Sequence, residues 1–353
     1  MIGRLSCILL CLLPAAPARA QESFRFAVSG DSRNCGDVIM PAIAARAAAD
    51  GAGFYWHLGD LRAIYDFDED MQDRQKKAGK PPLSISAYEH AAWDDYIQKQ
   101  LAAFTMPVFV GIGNHEVYPP KDRSQFTIQF ADWLGAPALR AQRLADNPND
   151  HSLKTYFHWR QGPVDFIYLD NATPDQFDNE QLSWFERVLA LDGAAGDVKS
   201  VVVGMHEALP DSVAAGHSMS DFPVAEQSGR RVYADLLKFR DEGHKNVYVL
   251  ASHSHFYMAG IFKSEYLEQH GGVLSGWIIG SGGAVRYALP PLASRADAAM
   301  TNVYGYLLGT VMEDGTVTFT FRLIQAQHIP AAVAAQYTPE GLRYCLDGNT
   351  QVK

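Results

Sequence analysis

Beyond its first 20 positions the chain has no apolar run long enough to cross a bilayer, so no membrane span is expected in the mature protein. It also has no Pro/Ser-rich linker, no low-complexity tract and no internal repeat. Length alone would allow two domains, but without a boundary signal residues 21–353 read as a single elaborated domain. Positive charge is in deficit: 30 Lys and Arg stand against 40 Asp and Glu, a net charge of −10. That argues against a general nucleic-acid surface. It does not exclude an anionic small molecule, because bound divalent cations would dominate the local field. Cysteine is scarce, with four in 353 residues. Cys7 and Cys11 fall within the first 20 positions, which leaves Cys35 and Cys345 as an even pair.

Those first 20 positions have the form of a secretory signal. Arg4 gives a positive start, residues 8–13 a short apolar core, and Ala18-Arg19-Ala20 a small-x-small cleavage site. The mature chain is expected to be secreted or periplasmic. In an oxidising compartment Cys35 and Cys345 are expected to be bridged.

What the chain does have is one recurring arrangement. Residues 106–110 are β-branched and aromatic, and read as a buried strand. Gly111-Ile112-Gly113 then allows a sharp turn, and Asn114, His115 and Glu116 emerge from it. The same strand, glycine or serine, then Asp or His recurs at Gly30-Asp31, Gly59-Asp60, Gly204-Met205-His206 and Ser252-His253-Ser254-His255. Five such coincidences are hard to explain as polar turns.

Between these points strands and helices alternate. Strands are predicted at 23–29, 53–58, 199–204 and 246–251, with helices at 37–50, 88–104, 178–191 and 230–241. Residues 156–159 and 164–170 read as a hairpin around Gln161-Gly162-Pro163. Residues 62–86 read as an exposed excursion over the site, and 117–155 as irregular with one short helix near 125–134. The end of the chain is β-rich at 276–279, 303–312 and 316–324, the last two joined by an Asp314-Gly315 hairpin signal. Alternating units followed by an antiparallel close suggest a mixed α/β fold of two stacked sheets with helices outside.

The strand-end residues Asp31, Asp60, Asn114, His206, His253 and His255 supply two carboxylates, one amide oxygen and three imidazoles. This set suits zinc, manganese or iron and not copper(I). Six donors exceed the needs of one structural zinc. They suit two metal ions sharing a carboxylate, a pair that at about 3.5–4 Å separation holds a hydroxide nucleophile and clamps a phosphoryl group. His115, beside Asn114, is placed to protonate a leaving alkoxide.

The order GD, GD, GNHE, a single strand-end His and then H-x-H resembles the calcineurin-like dinuclear metallophosphoesterases, relatives of the purple acid phosphatases, over residues 24–260. The resemblance implies a four-layer αββα sandwich of two mixed sheets flanked by helices, here with insertions near 62–90 and 117–155. It implies that Asp60 bridges two metals, that Asp31 and His255 join it on one, and that Asn114, His206 and His253 hold the other, with His115 as general acid. The implied function is secreted, metal-dependent hydrolysis of a phosphorylated small molecule, using two Fe, Mn or Zn ions and a bridging hydroxide. A phosphodiesterase or nucleotidase of the same family is one alternative. A metal-stabilised binding protein that has lost turnover is the alternative from another class.

The chain departs from the family at Arg33, where a His ligand is usual; arginine cannot ligate a cation. Arg33 either grips a substrate phosphate or turns outward to pair with Asp37 or another surface acid. Purple acid phosphatases carry a Tyr where this chain has Ala63, and Tyr65 is a candidate to fill in for it. His217, in a loop near His206, is a candidate substrate contact. His57 reads as a packed core histidine, His158 as structural, and Glu207 and Asp211 as solvated. Gly280-Ser281-Gly282-Gly283 is either an anion-binding backbone loop or a tight turn, and Arg286 and Tyr287 after it are candidates to face the pocket.

Overall fold

The computed structural model describes residues 22–172, 176–214 and 216–352; the expected signal sequence at 1–20 lies outside them. Among the described residues the strands are β1 (Glu22–Ser29), β2 (Ala52–His57), β3 (Val108–Val110), β4 (Phe157–Gln161), β5 (Val164–Leu169), β6 (Ser200–Met205), β7 (Asn246–Ala251), β8 (Tyr257–Ala259), β9 (Ser275–Ile279), β10 (Ala298–Met300), β11 (Tyr304–Met312) and β12 (Val317–Ile324). Ahead of β7 the helices are α1 (Gly36–Ala49), α2 (Glu69–Lys77), α3 (Ile85–Lys99), α4 (Arg123–Gln129), α5 (Ala131–Leu134), α6 (Pro137–Asp146), α7 (Asn179–Ala194) and α8 (Pro223–Gly243). One sheet runs β12-β11-β1-β2-β3 and the other β10-β8-β9-β7-β6-β5-β4. In the first, β1, β2 and β3 are parallel and β11 is antiparallel to β1; in the second, β5, β6, β7 and β9 are parallel.

Alternation along each strand builds the layers, because successive side chains face opposite sides. Phe26 and Val28 of β1, Phe54 and Trp56 of β2, and Val164, Phe166 and Tyr168 of β5 meet in one core between the sheets. There Phe109 stacks on Trp159 with ring centroids 3.9 Å apart. Ala27 and Tyr55 face the other way, onto Val38, Ile39 and Ile43 of α1. Ile167, Val201 and Val203 pack outward onto Leu182 and Phe185 of α7 and Val232 and Leu236 of α8. Burying a side chain of this size contributes roughly 1.5–3 kcal/mol. The result is the expected sandwich: helices, sheet, sheet, helices.

Several local expectations need correction. The stretch after Asp60 is not an exposed excursion throughout. Arg62 is fully buried and pairs with Asp37 at 2.6 Å, Asp95 at 2.5 Å and Asp68 at 3.4 Å. A guanidinium survives such burial only when several carboxylates satisfy it, and composition does not reveal that pairing. Residues 117–155 hold three helices instead of one, with α6 opened by Pro137 at its first turn. Helix α8 begins at Pro223, seven positions ahead of the predicted start at 230. Gly229 reads as a breaker but lies against Pro210, where a Cβ would come within 2.4 Å of Pro210 Cδ. The C-terminal segment returns to α1, where Cys345 is bonded to Cys35, the residue preceding that helix.

Candidate metal centre

The carboxyl ends of parallel strands from both sheets converge at one point, the usual ligand position in open α/β sheets. Asp31 follows β1, Asp60 follows β2, Asn114 follows β3, His206 follows β6, and His253 and His255 follow β7. Asp31, Asp60 and His253 have φ of 58°, 59° and 64°, left-handed conformations rare for residues with a Cβ. Each costs on the order of 1–3 kcal/mol and persists only where surrounding bonds enforce it. Here they do. The N–H of His253 donates to Asp31 Oδ2 at 2.7 Å, and that of His115 to Asp60 Oδ1 at 3.0 Å. Gly113 is required by contact: a Cβ there would lie 2.4 Å from Asp60 Oδ1.

The imidazoles are turned inward by bonds on their far sides. His255 Nδ1 donates to the Val285 carbonyl at 2.7 Å, which leaves Nε2 3.2 Å from Asp31 Oδ1. His206 Nδ1 faces the Leu58 carbonyl at 3.1 Å. Its Nε2 lies 2.9 Å from Asn114 Oδ1, 3.1 Å from His253 Nδ1 and 3.3 Å from Asp60 Oδ1. Two ligand groups result, Asp60 with His206 and His253, and Asp31 with Asp60 and His255; Asp60 belongs to both. Burial pushes His253 and His255 well below an ordinary histidine, so both present neutral rings, the ligating form. Burial raises Asp31, against His206, to about 7. Asp60, which burial would also raise, is held below the usual carboxylate range by His115 and His206. Asp31 Oδ1 and Asp60 Oδ2 are buried without a hydrogen-bond partner. Orphaned carboxylate oxygens among inward-facing lone pairs fit a cation and little else.

Solved structures share this architecture. The chain is similar to the purple acid phosphatase PPD1 from yellow lupin (Lupinus luteus) seeds, with 17% identity and a TM-score of 0.56 over 88% of this chain and 53% of that one. It is similar to a dimetal phosphatase from Danio rerio, with 12% identity and a TM-score of 0.53 over 86% and 97% of the two chains. A third likeness is to PhoD, at 16% identity and a TM-score of 0.51 over 87% and 70%. At these identities the likeness is one of fold. The chain spans about half the length (53%) of the lupin enzyme. Neither family models nor curated proteins match the sequence.

Within this fold the remaining candidates separate. His115 is buried beside the centre, its Nδ1 on the Ala63 carbonyl at 2.6 Å and its Nε2 3.6 Å from Asp60 Oδ2. Burial pushes its pKa down to about 4. Arg33 turns inward, with Nη2 3.1 Å from His255 Nε2 and Nε 3.7 Å from Asp60 Oδ2. Pairing with Asp37 is excluded, since that carboxylate is taken by Arg62 and Arg74. The Tyr65 hydroxyl meets Arg33 Nη1 at 3.5 Å, and its ring lies over His115, centroids 4.6 Å apart. Tyr287 stacks on His255 at 4.0 Å, and exposed His217 stacks on Tyr287 at 5.2 Å, so both line the rim. Arg286 does not face the pocket; it holds the carbonyls of Leu346 and Asn349. The glycine loop is a close approach and not an anion cradle: Gly282 N–H donates to the Gly30 carbonyl, and a Cβ on Gly280 would lie 2.8 Å from Asp31 Oδ2.

Three positioning residues escaped the sequence reading. Glu207 is buried, not solvated, and its Oε1 faces His253 Nε2 at 3.4 Å, a carboxylate behind a ligand histidine. Asn171 Oδ1 accepts the N–H groups of His206 and Glu207, both at 3.1 Å. Glu116 accepts three backbone N–H groups beneath the centre. Adjacency to His206 and to His115 was the only available signal for Glu207 and Glu116. His57 is core, as expected: Gly59 N–H donates to its Nδ1 and its Nε2 meets Ser32 Oγ at 3.0 Å.

Proposed function

We propose that the chain is an exported, metal-dependent phosphoester hydrolase acting on phosphorylated small molecules. The observation that carries this reading is the pair of ligand groups that share Asp60 at the meeting point of both sheets. Asp60, Asn114, His206 and His253 would hold one ion; Asp31, Asp60 and His255 form the second candidate group, which Arg33 faces. Iron, manganese and zinc all suit this donor set. Bound metal supplies a Lewis acid for the phosphoryl oxygen and an activated hydroxide, bridging where two ions sit side by side.

The protein's own groups supply the rest. Glu116 and Asn171 fix the loops that carry Asp60 and His206. Arg33 offers guanidinium N–H groups to a phosphoryl oxygen, which a planar fork grips well. His115 Nε2, beside Asp60, is placed to give a proton to the leaving oxygen once the arriving dianion raises its affinity for that proton. His217 and Tyr287 border the pocket beside His253 and His255. The likeness to a purple acid phosphatase and a dimetal phosphatase supports the reaction class. The Cys35–Cys345 bond supports an oxidising compartment, and among the described residues no helix is long and apolar enough to cross a membrane.

The test is turnover on p-nitrophenyl phosphate, its bis-ester and nucleoside monophosphates, with and without chelator. Chelation should abolish hydrolysis, metal should restore it, and Asp60→Ala should stay inactive. Full turnover in Asp60→Ala protein would overturn the reading. The substrate panel separates a phosphatase from a phosphodiesterase or nucleotidase.

A further inference from the structure

We propose that the centre binds one metal ion tightly, through Asp60, Asn114, His206 and His253, and that the guanidinium of Arg33 is a built-in cation at the position where a second ion would sit. This rests on reading the centre as a metal site. The two ligand groups differ in what already faces them. With His206 Nδ1 donating to the Leu58 carbonyl, its Nε2 lone pair meets an amide oxygen at 2.9 Å, a ring nitrogen at 3.1 Å and a carboxylate oxygen at 3.3 Å. A cation placed among these four would satisfy them together.

In the other group a cation already meets two of the three members, His255 and Asp60, while Asp31 Oδ1 keeps no hydrogen-bond partner. His255 Nδ1 donates to the Val285 carbonyl, so Nε2 is an acceptor, and Arg33 Nη2 fills it at 3.1 Å. Arg33 Nε faces Asp60 Oδ2 at 3.7 Å, and Tyr65 steadies Nη1 at 3.5 Å. The residue is only 8% exposed. An ion entering among Asp31, Asp60 and His255 would have to take His255 Nε2 from Arg33 and then sit against a like charge that cannot be shed by deprotonation. Arginine thus neutralises the carboxylates a second ion would neutralise, and keeps N–H donors aimed at the pocket.

Metal stoichiometry tests this without relying on activity. The full chain is stripped with chelator, dialysed against Mn2+, and its ions counted per chain alongside the Mn2+ electron paramagnetic resonance spectrum. The expected result is one ion with an isolated-ion spectrum. Arg33→His, which exchanges the cation for an imidazole, should take up two ions and give an exchange-coupled spectrum. Asp31→Asn should keep the single ion, and His253→Ala should lose it. Two tightly held ions in the unaltered chain would overturn the proposal and leave the metal-site reading standing. A folded Arg33→His chain that still holds one ion would overturn it too. No bound ion in the unaltered chain would remove the metal-site reading itself. Should Arg33→His fail to fold, the count on the unaltered chain decides alone.

Discussion

The backbone N–H of Asp60 donates to the buried carboxylate of Glu116 at 2.8 Å. The same carboxylate takes the N–H of Leu61 at 2.9 Å and of Gly113 at 2.8 Å, so one side chain ties the loop after β2 to the loop after β3. It thereby sets Asp60, which both ligand groups share, against Asn114. Glu116→Gln keeps the shape but leaves one acceptor oxygen for three donors. The expected loss is about 1–3 kcal/mol of stability and roughly 10–100-fold in metal affinity. Denaturant titration and metal binding measure the two. An unchanged metal affinity would show that Glu116 only stabilises the fold.

His115 gives a prediction that separates acid from ligand. Its bond to Asp60 Oδ1 comes from the backbone, so His115→Ala removes the imidazole and keeps that bond. Metal content should be unchanged. Turnover should fall about 10²–10⁴-fold on esters with poor leaving groups, and far less on p-nitrophenyl phosphate, whose leaving group needs little protonation. Equal losses on both substrate types would remove His115 from the acid role.

The sequence showed the centre better than its supports. Asp31, Asp60, Asn114, His206, His253 and His255 were legible because each follows a strand, and parallel strands bring their carboxyl ends together. The sandwich was legible for the same reason, through alternation along β1, β2, β5 and β6. The direction of Arg33 was not, since a residue one turn past a strand can face either way; burial of Arg62 decided it by occupying Asp37. Glu116, Asn171 and Glu207 act through hydrogen bonds to groups distant in sequence, and spacing carries no trace of those. Residues 62–71 looked solvated because charge pairs bury as units, whereas composition counts charges singly.

The Cys35–Cys345 bond joins residues 310 positions apart and ends at the turn that carries Arg33. In the chain-entropy account such a loop restricts the unfolded chain strongly, and removing a native disulfide typically costs about 2–5 kcal/mol. Cys345→Ser should therefore lower stability by that order, and freeing the C-terminal segment should loosen the Arg33 loop. Thiol titration of the denatured, unreduced chain should find neither cysteine free. Two reactive thiols there would show that the bond does not form in the protein.

His158 makes stability depend on pH away from the metal centre. The residue is 4% exposed and its ring lies between two carboxylates: Nδ1 is 2.6 Å from Asp165 Oδ2 in β5 and Nε2 is 2.5 Å from Asp146 Oδ2 in α6. Burial works against the charged ring, but Asp165 and Asp146 outweigh it and raise the pKa from 6.5 to about 10. The folded value lies above the unfolded one. The ring's contribution is therefore complete below pH 6.5 and is lost as pH rises through about 10. It is on the order of a few kcal/mol. In His158→Gln a neutral side chain replaces the titrating one at all pH values. That variant should be less stable than the parent at pH 6, and the difference should shrink steadily toward pH 10. Denaturant titrations of both chains at matched pH measure it, and a difference independent of pH would mean that the ring is not charged in the folded protein.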